Sequence, residues 1–361
     1  MGESRHIKQA SRIVFSVFGA ILLLFFIYFM PLPLYIFKPG SADVIGPMVK
    51  VSQPGPEDRG ELMLTTVSVS NANLMGYLLS FVLPYQERQP KQDLLKEGET
   101  EEEYSQRQEV VMLTSQADAM QAAYKKLGIP YQISKDGVVL QRVYPEFPAH
   151  DVLLPGDYLV KIDDKPIQAY EDVRSALAGK KEGDQAAVTF RRGSALRTEN
   201  IALKTLPVQP GETGPARIGL GVEPVDVLSV KAESEAQQVS IQAGDIGGPS
   251  AGLMFSLEIY NKLVPEDITK GYRIAGTGII NPEGQVGVIG GIQHKVVAAD
   301  RAGAEIFFAP KDVTEGGRTI ENYSAARKRA GEIGTEMKVV PVGTMQDALD
   351  YLAALPAKTG G

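Results

Sequence analysis

Asp245-Ile246-Gly247-Gly248-Pro249-Ser250-Ala251-Gly252 is a turn that opens a helix, because Leu253, Leu257, Tyr260 and Val264 follow it at helical spacing. Its two glycines let the backbone pass close to another group. Ser250 then stands where unpaired backbone N–H groups and the positive end of the helix dipole gather. Such a position suits a nucleophile, with an oxyanion hole built from the N–H groups of residues 248–250. Taken alone, the segment reads more simply as a plain N-cap serine. Further along, Gly284-Gln285-Val286-Gly287-Val288-Ile289-Gly290-Gly291-Ile292-Gln293-His294-Lys295 leads into a predicted helix over residues 292–302, stopped by Gly303, and a strand over 305–309. Lys295 falls in the first turn among Ile289, Ile292, Val296 and Val297. Burial disfavours a charged ammonium, and a neutral amine can take the proton of a serine hydroxyl without any histidine. The other reading is a lysine that snorkels to water.

Together the two segments resemble the proteolytic domain of the Lon family. The carrying residues are Gly248-Pro249-Ser250-Ala251-Gly252 and the spaced run Thr277-Gly278, Gly284, Val286, Ile289-Gly290-Gly291-Ile292, Lys295, Ala298-Ala299 and Arg301-Ala302-Gly303, over roughly residues 215–355. The resemblance implies an α/β (α+β) domain in which Ser250 is the nucleophile and Lys295 the general base. It places Thr277 as a support for the pair, with Gly248 and Pro249 in the same turn. ATP-dependent Lon enzymes have an aspartate three residues before the serine, where this chain has Gly247. The nearest acid, Asp245, lies two residues earlier, and whether it substitutes is left open. No G-x-x-x-x-G-K-[ST] phosphate loop occurs, so no ATP and no other cofactor is expected. His294 is one helical step of about 100° from Lys295 and reads as a surface or supporting residue. Lon-like domains often form rings, which admits a homo-oligomer by analogy alone.

Upstream, residues 131–203 break into short strands and turns around one helix at Tyr170–Leu177. Pro148-Ala149, Gly156-Asp157 and the hairpin Ile162-Asp163-Asp164-Lys165-Pro166-Ile167 make this stretch resemble a bacterial PDZ domain. The resemblance implies a β-rich domain with a groove between the strand at Val138 and the helix, where an extended peptide adds a strand and backbone N–H groups hold its C-terminal carboxylate. Gly137, Val138 and Val139 are then the peptide-binding candidates. The alternative is a spacer or regulatory lid. A linker is expected at residues 209–215, rich in Pro and Gly. A strand is expected at 61–70 and a helix over 117–127. The acidic run before that helix reads as its solvated start. Residues 74–84 are apolar without a clear period.

At the other end, residues 13–30 are uncharged and follow Arg5, Lys8 and Arg12. That length suits a transmembrane helix with a cytoplasmic N-terminus, which sends the rest of the chain outside the membrane. A cleaved signal peptide is the rival, but no small-residue cleavage site follows the run. The expected organisation is a tail and anchor (1–40), a β/α segment (41–123), a PDZ domain (124–206) and a Lon-like proteolytic domain (214–361). An anchor, a PDZ domain and a Lon-like domain in this order resemble the membrane-bound proteases of Gram-positive bacteria. The implied partners are peptides or flexible proteins and membrane lipid. A tethered peptide-binding scaffold with an inactive protease domain is the competing reading.

The 361 residues carry no cysteine, three histidines and a net charge of −7. Cysteine nucleophiles, disulfides and thiolate metal sites are excluded. A His-rich metal site is hard to build, so no metal is expected, and the mild acidity argues against nucleic acid.

Overall fold

The computed structural model describes residues 3–53, 59–207, 217–244 and 246–358, with the side chains of 3–12 outside that part. Asp245 and the linker at 209–215 lie outside the described residues. Helix α1 (Glu3–Phe29) covers the uncharged run as far as Phe29 and is followed at once by strand β1 (Pro31–Val44). Pro31 and Pro33 cannot supply helical N–H groups, and the chain turns extended there. Among the described residues no helix is long and apolar enough to cross a membrane; in α1 the described side chains begin at Ile13.

Strand β2 (Glu61–Asn73) returns antiparallel to β1, helix α2 (Leu74–Leu79) follows, and β3 (Glu87–Pro90) pairs with the other edge of β1. Helix α3 (Glu101–Leu127) starts on a capping box between Thr100 and Glu103 and ends at Gly128 in the left-handed region. The acidic run does start this helix, but Glu103 is buried rather than solvated, because its carboxylate closes the box.

Next comes a β-rich unit formed by β4 (Tyr131–Val143), β5 (Tyr158–Ile162), helix α4 (Tyr170–Leu177), β6 (Gln185–Arg192), β7 (Ala195–Ala202) and β8 (Val222–Ala232). The sheet order is β8-β4-β5-β6-β7. Its core is filled by Val138, Leu140, Leu159, Ile162, Val188 and Phe190. The C-terminal unit contains α5 (Gly252–Leu263), β9 (Arg273–Gly276), α6 (Ile292–Arg301), β10 (Ile306–Pro310), α7 (Tyr323–Ile333), β11 (Lys338–Val342) and α8 (Met345–Ala353). Thr344 caps α8 by accepting the Asp347 N–H at 3.1 Å.

The early strands belong to the same sheet as the late ones. A mixed six-stranded sheet runs β11-β10-β9-β2-β1-β3; β11, β10, β9 and β2 are parallel neighbours, and β1 is antiparallel to both β2 and β3. Residues 31–90 therefore contribute to the C-terminal unit, and the β-rich unit is inserted between them and the late strands. The two units are tied by shared strands. Val138 and Leu140 of β4 lie in the inserted core, whereas Tyr131 packs on the other; β8 likewise sends Val222 to one and Val230 to the other.

Candidate active site

Ser250 lies in a 3-10 turn (Pro249–Ala251) directly ahead of α5, with Gly248 preceding it at φ +86. Only glycine takes that conformation without strain. No side-chain cap is made at the start of this turn or of α5. The Ser250 hydroxyl instead lies 2.8 Å from Lys295 Nζ, which arrives from the first turn of α6. Lys295 is 4% exposed, and its Nζ donates to the Thr65 carbonyl on β2 at 2.7 Å. Burial alone pulls the lysine down from 10.5 to about 7, with no charged partner to offset it. Snorkelling is therefore not what this side chain does.

The serine backbone is held just as firmly. Thr277 is fully buried, and its hydroxyl donates to the Ser250 carbonyl at 2.9 Å, beside the Gly278 N–H at 2.8 Å. On the opposite side α3 clamps the turn. The Gly248 N–H donates to the Gln108 carbonyl at 2.9 Å, and the Ser115 hydroxyl donates to the Pro249 carbonyl at 3.1 Å. Gly248 is thus committed elsewhere and is not an oxyanion donor as expected. Pro249 has no N–H, which leaves that of Ser250 in the segment. A Cβ on Gly247 would lie 2.9 Å from Gln108 Cβ, so an aspartate at this position would collide with α3. The close approach of α3 gives a physical reason for the glycine.

Ser250 and Lys295 line a cleft of about 520 Å³ together with Thr66, Val67, Phe37 and Tyr104. Beyond Leu64, β2 is paired with β1 on one edge only, so residues 66–69 offer backbone groups to the cleft. His294 is not at the surface: it is 1% exposed, and its Nε2 lies 3.2 Å from Glu87 on β3. That contact and the Gln293 amide hold the Glu87 carboxylate below its ordinary range. Among the described residues no group of three or more His, Asp or Glu could hold a metal ion.

The groove in the inserted unit is not where the sequence placed it. Val138 and Val139 are buried, and both their ladder edges are taken, by β8 on one side and β5 on the other. With no free edge there, neither they nor Gly137 can accept an added strand. The open groove lies between α4 and the start of β8. It is a cleft of about 340 Å³ lined by Tyr170, Val173, Leu177, Ile218, Gly219 and Val222 among others. Gly221, at φ +73, faces Phe147 so closely that a Cβ would sit 1.9 Å from its ring. The Lys135 ammonium bridges Glu171 of α4 and Asp226 of β8 at 2.8 and 2.6 Å. Of the site residues, Thr65, Gln108, Ser115 and the segment 217–222 were missed. Gly219-Leu220-Gly221 is the one local signal for this segment.

Residues 125–203 match the family model of the PDZ domain, and 233–355 match that of the Lon protease (S16) C-terminal proteolytic domain. The Lon protease of Chloroflexus aurantiacus is 29% identical over 191 residues, covering 51% of this chain and 20% of that protein. That of Mesomycoplasma hyopneumoniae is 32% identical over 109 residues, covering 29% and 11%. The chain thus spans a fifth or less of the length of these relatives. The PDZ domain of an SdrC-like protein from Listeria monocytogenes aligns with 26% of this chain and 93% of its own, at 26% identity and a TM-score of 0.22. The chain joins a PDZ domain to a Lon-type C-terminal proteolytic domain, which implies a serine peptidase, and over that domain it is a homologue of Lon proteases.

Proposed function

We propose that the chain is an ATP-independent endopeptidase, anchored in the membrane by α1 with its catalytic part outside, that cuts flexible peptides or unfolded protein segments with a Ser250–Lys295 dyad. The observation that carries this reading is the 2.8 Å contact between Ser250 Oγ and a buried Lys295 that titrates near 7. A neutral amine accepts the serine proton through its lone pair while one N–H stays on the Thr65 carbonyl. Oγ attacks the scissile carbonyl carbon, and the oxyanion meets the Ser250 N–H. The ammonium then returns the proton to the leaving nitrogen as the C–N bond breaks. Water, deprotonated by the same amine, releases the acyl group.

The open edge of β2 offers the substrate a strand partner, which fixes its scissile bond over Ser250. The groove between α4 and β8 serves to bind a peptide tail, with its carboxylate against the segment 217–221. Because β8 reaches from that groove into the protease core, occupancy can bear on the active site. For the anchor, support comes from the basic residues ahead of the uncharged run and from the exposed apolar side chains of α1. The order of anchor, PDZ domain and protease supports a place among the membrane-bound proteases of Gram-positive bacteria.

The test incubates the full-length protein, in detergent or vesicles, with an unfolded protein mixture and maps new termini by mass spectrometry. Wild type should generate them without ATP, and Ser250→Ala should not. Equal cleavage by both would sink the dyad. Peptide capture in the α4–β8 groove without any cleavage would favour the tethered scaffold.

A further inference from the structure

From Leu62 to Gln86 the chain carries no charge. The β2 part of this stretch is accounted for by the sheet. The part that follows is not: Leu78, Leu79, Phe81, Val82 and Leu83 are 51%, 44%, 60%, 81% and 45% exposed. Single exposed leucines need no explanation, but this many in one turn form a patch that water disfavours. The turn is nevertheless well built. The Asn73 side chain accepts the Gly76 N–H at 2.7 Å, the Ser80 hydroxyl donates to the Tyr77 carbonyl at 2.6 Å, and Arg88 donates to the Ser80 carbonyl at 3.1 Å. The Arg88 guanidinium also covers one face of Phe81 at 4.0 Å. The apolar side chains are therefore presented by a fixed backbone.

Its place in the fold indicates what covers it. The Asn73 amide donates to the Tyr28 carbonyl in the last turn of α1 at 2.8 Å, and α2 packs against α1. The patch thus continues the apolar surface of α1, where Phe25, Phe26 and Phe29 are all more than half exposed. No linker separates α1 from β1, so helix and patch keep one orientation. We propose that residues 78–83 are a second lipid-contacting element, lying in the interfacial layer of the bilayer that α1 enters. This rests on reading α1 as an anchor. Two attachments fix the tilt of the catalytic sheet, which one helix could not do. Phe37, at the rim of the cleft, follows Pro31 on the same strand, roughly 20 Å along it at ~3.3 Å per residue. The cleft is then held over the bilayer surface, within reach of segments emerging from the membrane.

The chain has no cysteine, so single cysteines can be labelled uniquely. Val82→Cys, Phe18→Cys and Leu196→Cys, the last on β7, would each carry an environment-sensitive dye in the full-length protein. The proteins are placed in vesicles of phosphatidylcholine and phosphatidylglycerol containing shallow doxyl-lipid quenchers. The expected result is quenching at positions 18 and 82 and none at 196. Quenching at 18 with position 82 as aqueous as 196 would overturn the second contact and leave the anchor standing. A dye at 82 that is shielded yet unquenched would mean that protein, such as a second copy, covers the patch, and would also overturn it. No quenching at either 18 or 82 would remove the anchor, and this inference with it.

Discussion

The lysine that faces Ser250 should make proteolysis depend on pH in a way that an ordinary lysine could not. Lys295 is drawn from 10.5 to about 7 by burial. At ~1.4 kcal/mol per pH unit, that gap is about 5 kcal/mol by which the interior disfavours the ammonium. About half of the folded molecules then hold a neutral amine at pH 7, against roughly one in three thousand for an exposed lysine. The assay is kcat/KM for a flexible peptide, followed from about pH 5 to 9 at fixed ionic strength, which reports the free enzyme. It should rise about tenfold per unit at the acid end, bend near 7 and level off above about 8. Stability supplies an independent arm. The folded value lies below the unfolded one, so the unfolded chain binds more protons between about 7 and 10.5. The penalty on the wild type is complete below 7 and fades as pH rises through that window. Lys295→Met should therefore resist denaturant better than wild type at pH 6, with the advantage shrinking toward pH 10. A rate profile that bends near 10, or a Lys295→Met advantage that does not change with pH, would refute the reasoning.

Other substitutions test other parts of the site. Ser250→Ala and Lys295→Arg should both abolish cleavage with unchanged circular dichroism, since a guanidinium stays protonated and cannot act as a base. Thr277→Val leaves the Ser250 carbonyl with only the Gly278 donor of the two described; at about 1 kcal/mol for such a bond, kcat should fall roughly five- to tenfold with KM little changed. Gly221→Ala places a Cβ against the Phe147 ring at positive φ and should cost about 1–3 kcal/mol. A fluorescent peptide ending in a free carboxylate should then lose its polarisation signal with the PDZ domain. His294→Gln should keep kcat, because His294 pairs with Glu87 and not with Ser250, while lowering the unfolding midpoint.

What the sequence made legible was local. Ser250 sits on a short glycine-marked turn before a helix and Lys295 in the first turn of a helix that follows another such turn, and the turn residues and periodicity together announce both. The groups that complete the site are distant in the chain. Thr65, Gln108 and Ser115 reach it from a strand and a helix that look ordinary in isolation, and no spacing links them to residues 248–295. The strand at residues 61–70 was readable from its alternation; its parallel pairing with Arg273–Gly276 was not, because alternation carries no partner. The PDZ groove failed for the same reason. β8 comes after the PDZ-like stretch, yet it pairs along β4 and takes the edge that the sequence assigned to the peptide. Gly247 is explained only by the packing of α3 against it.

The most direct test asks which atom attacks. Full-length protein would be treated with a peptide β-lactone at several pH values, and the acylated residue mapped by mass spectrometry. The account predicts acylation of Ser250 Oγ, faster as pH rises through 7, and none in Lys295→Met. Acylation of another residue, or equal labelling of Ser250 in Lys295→Met, would contradict it.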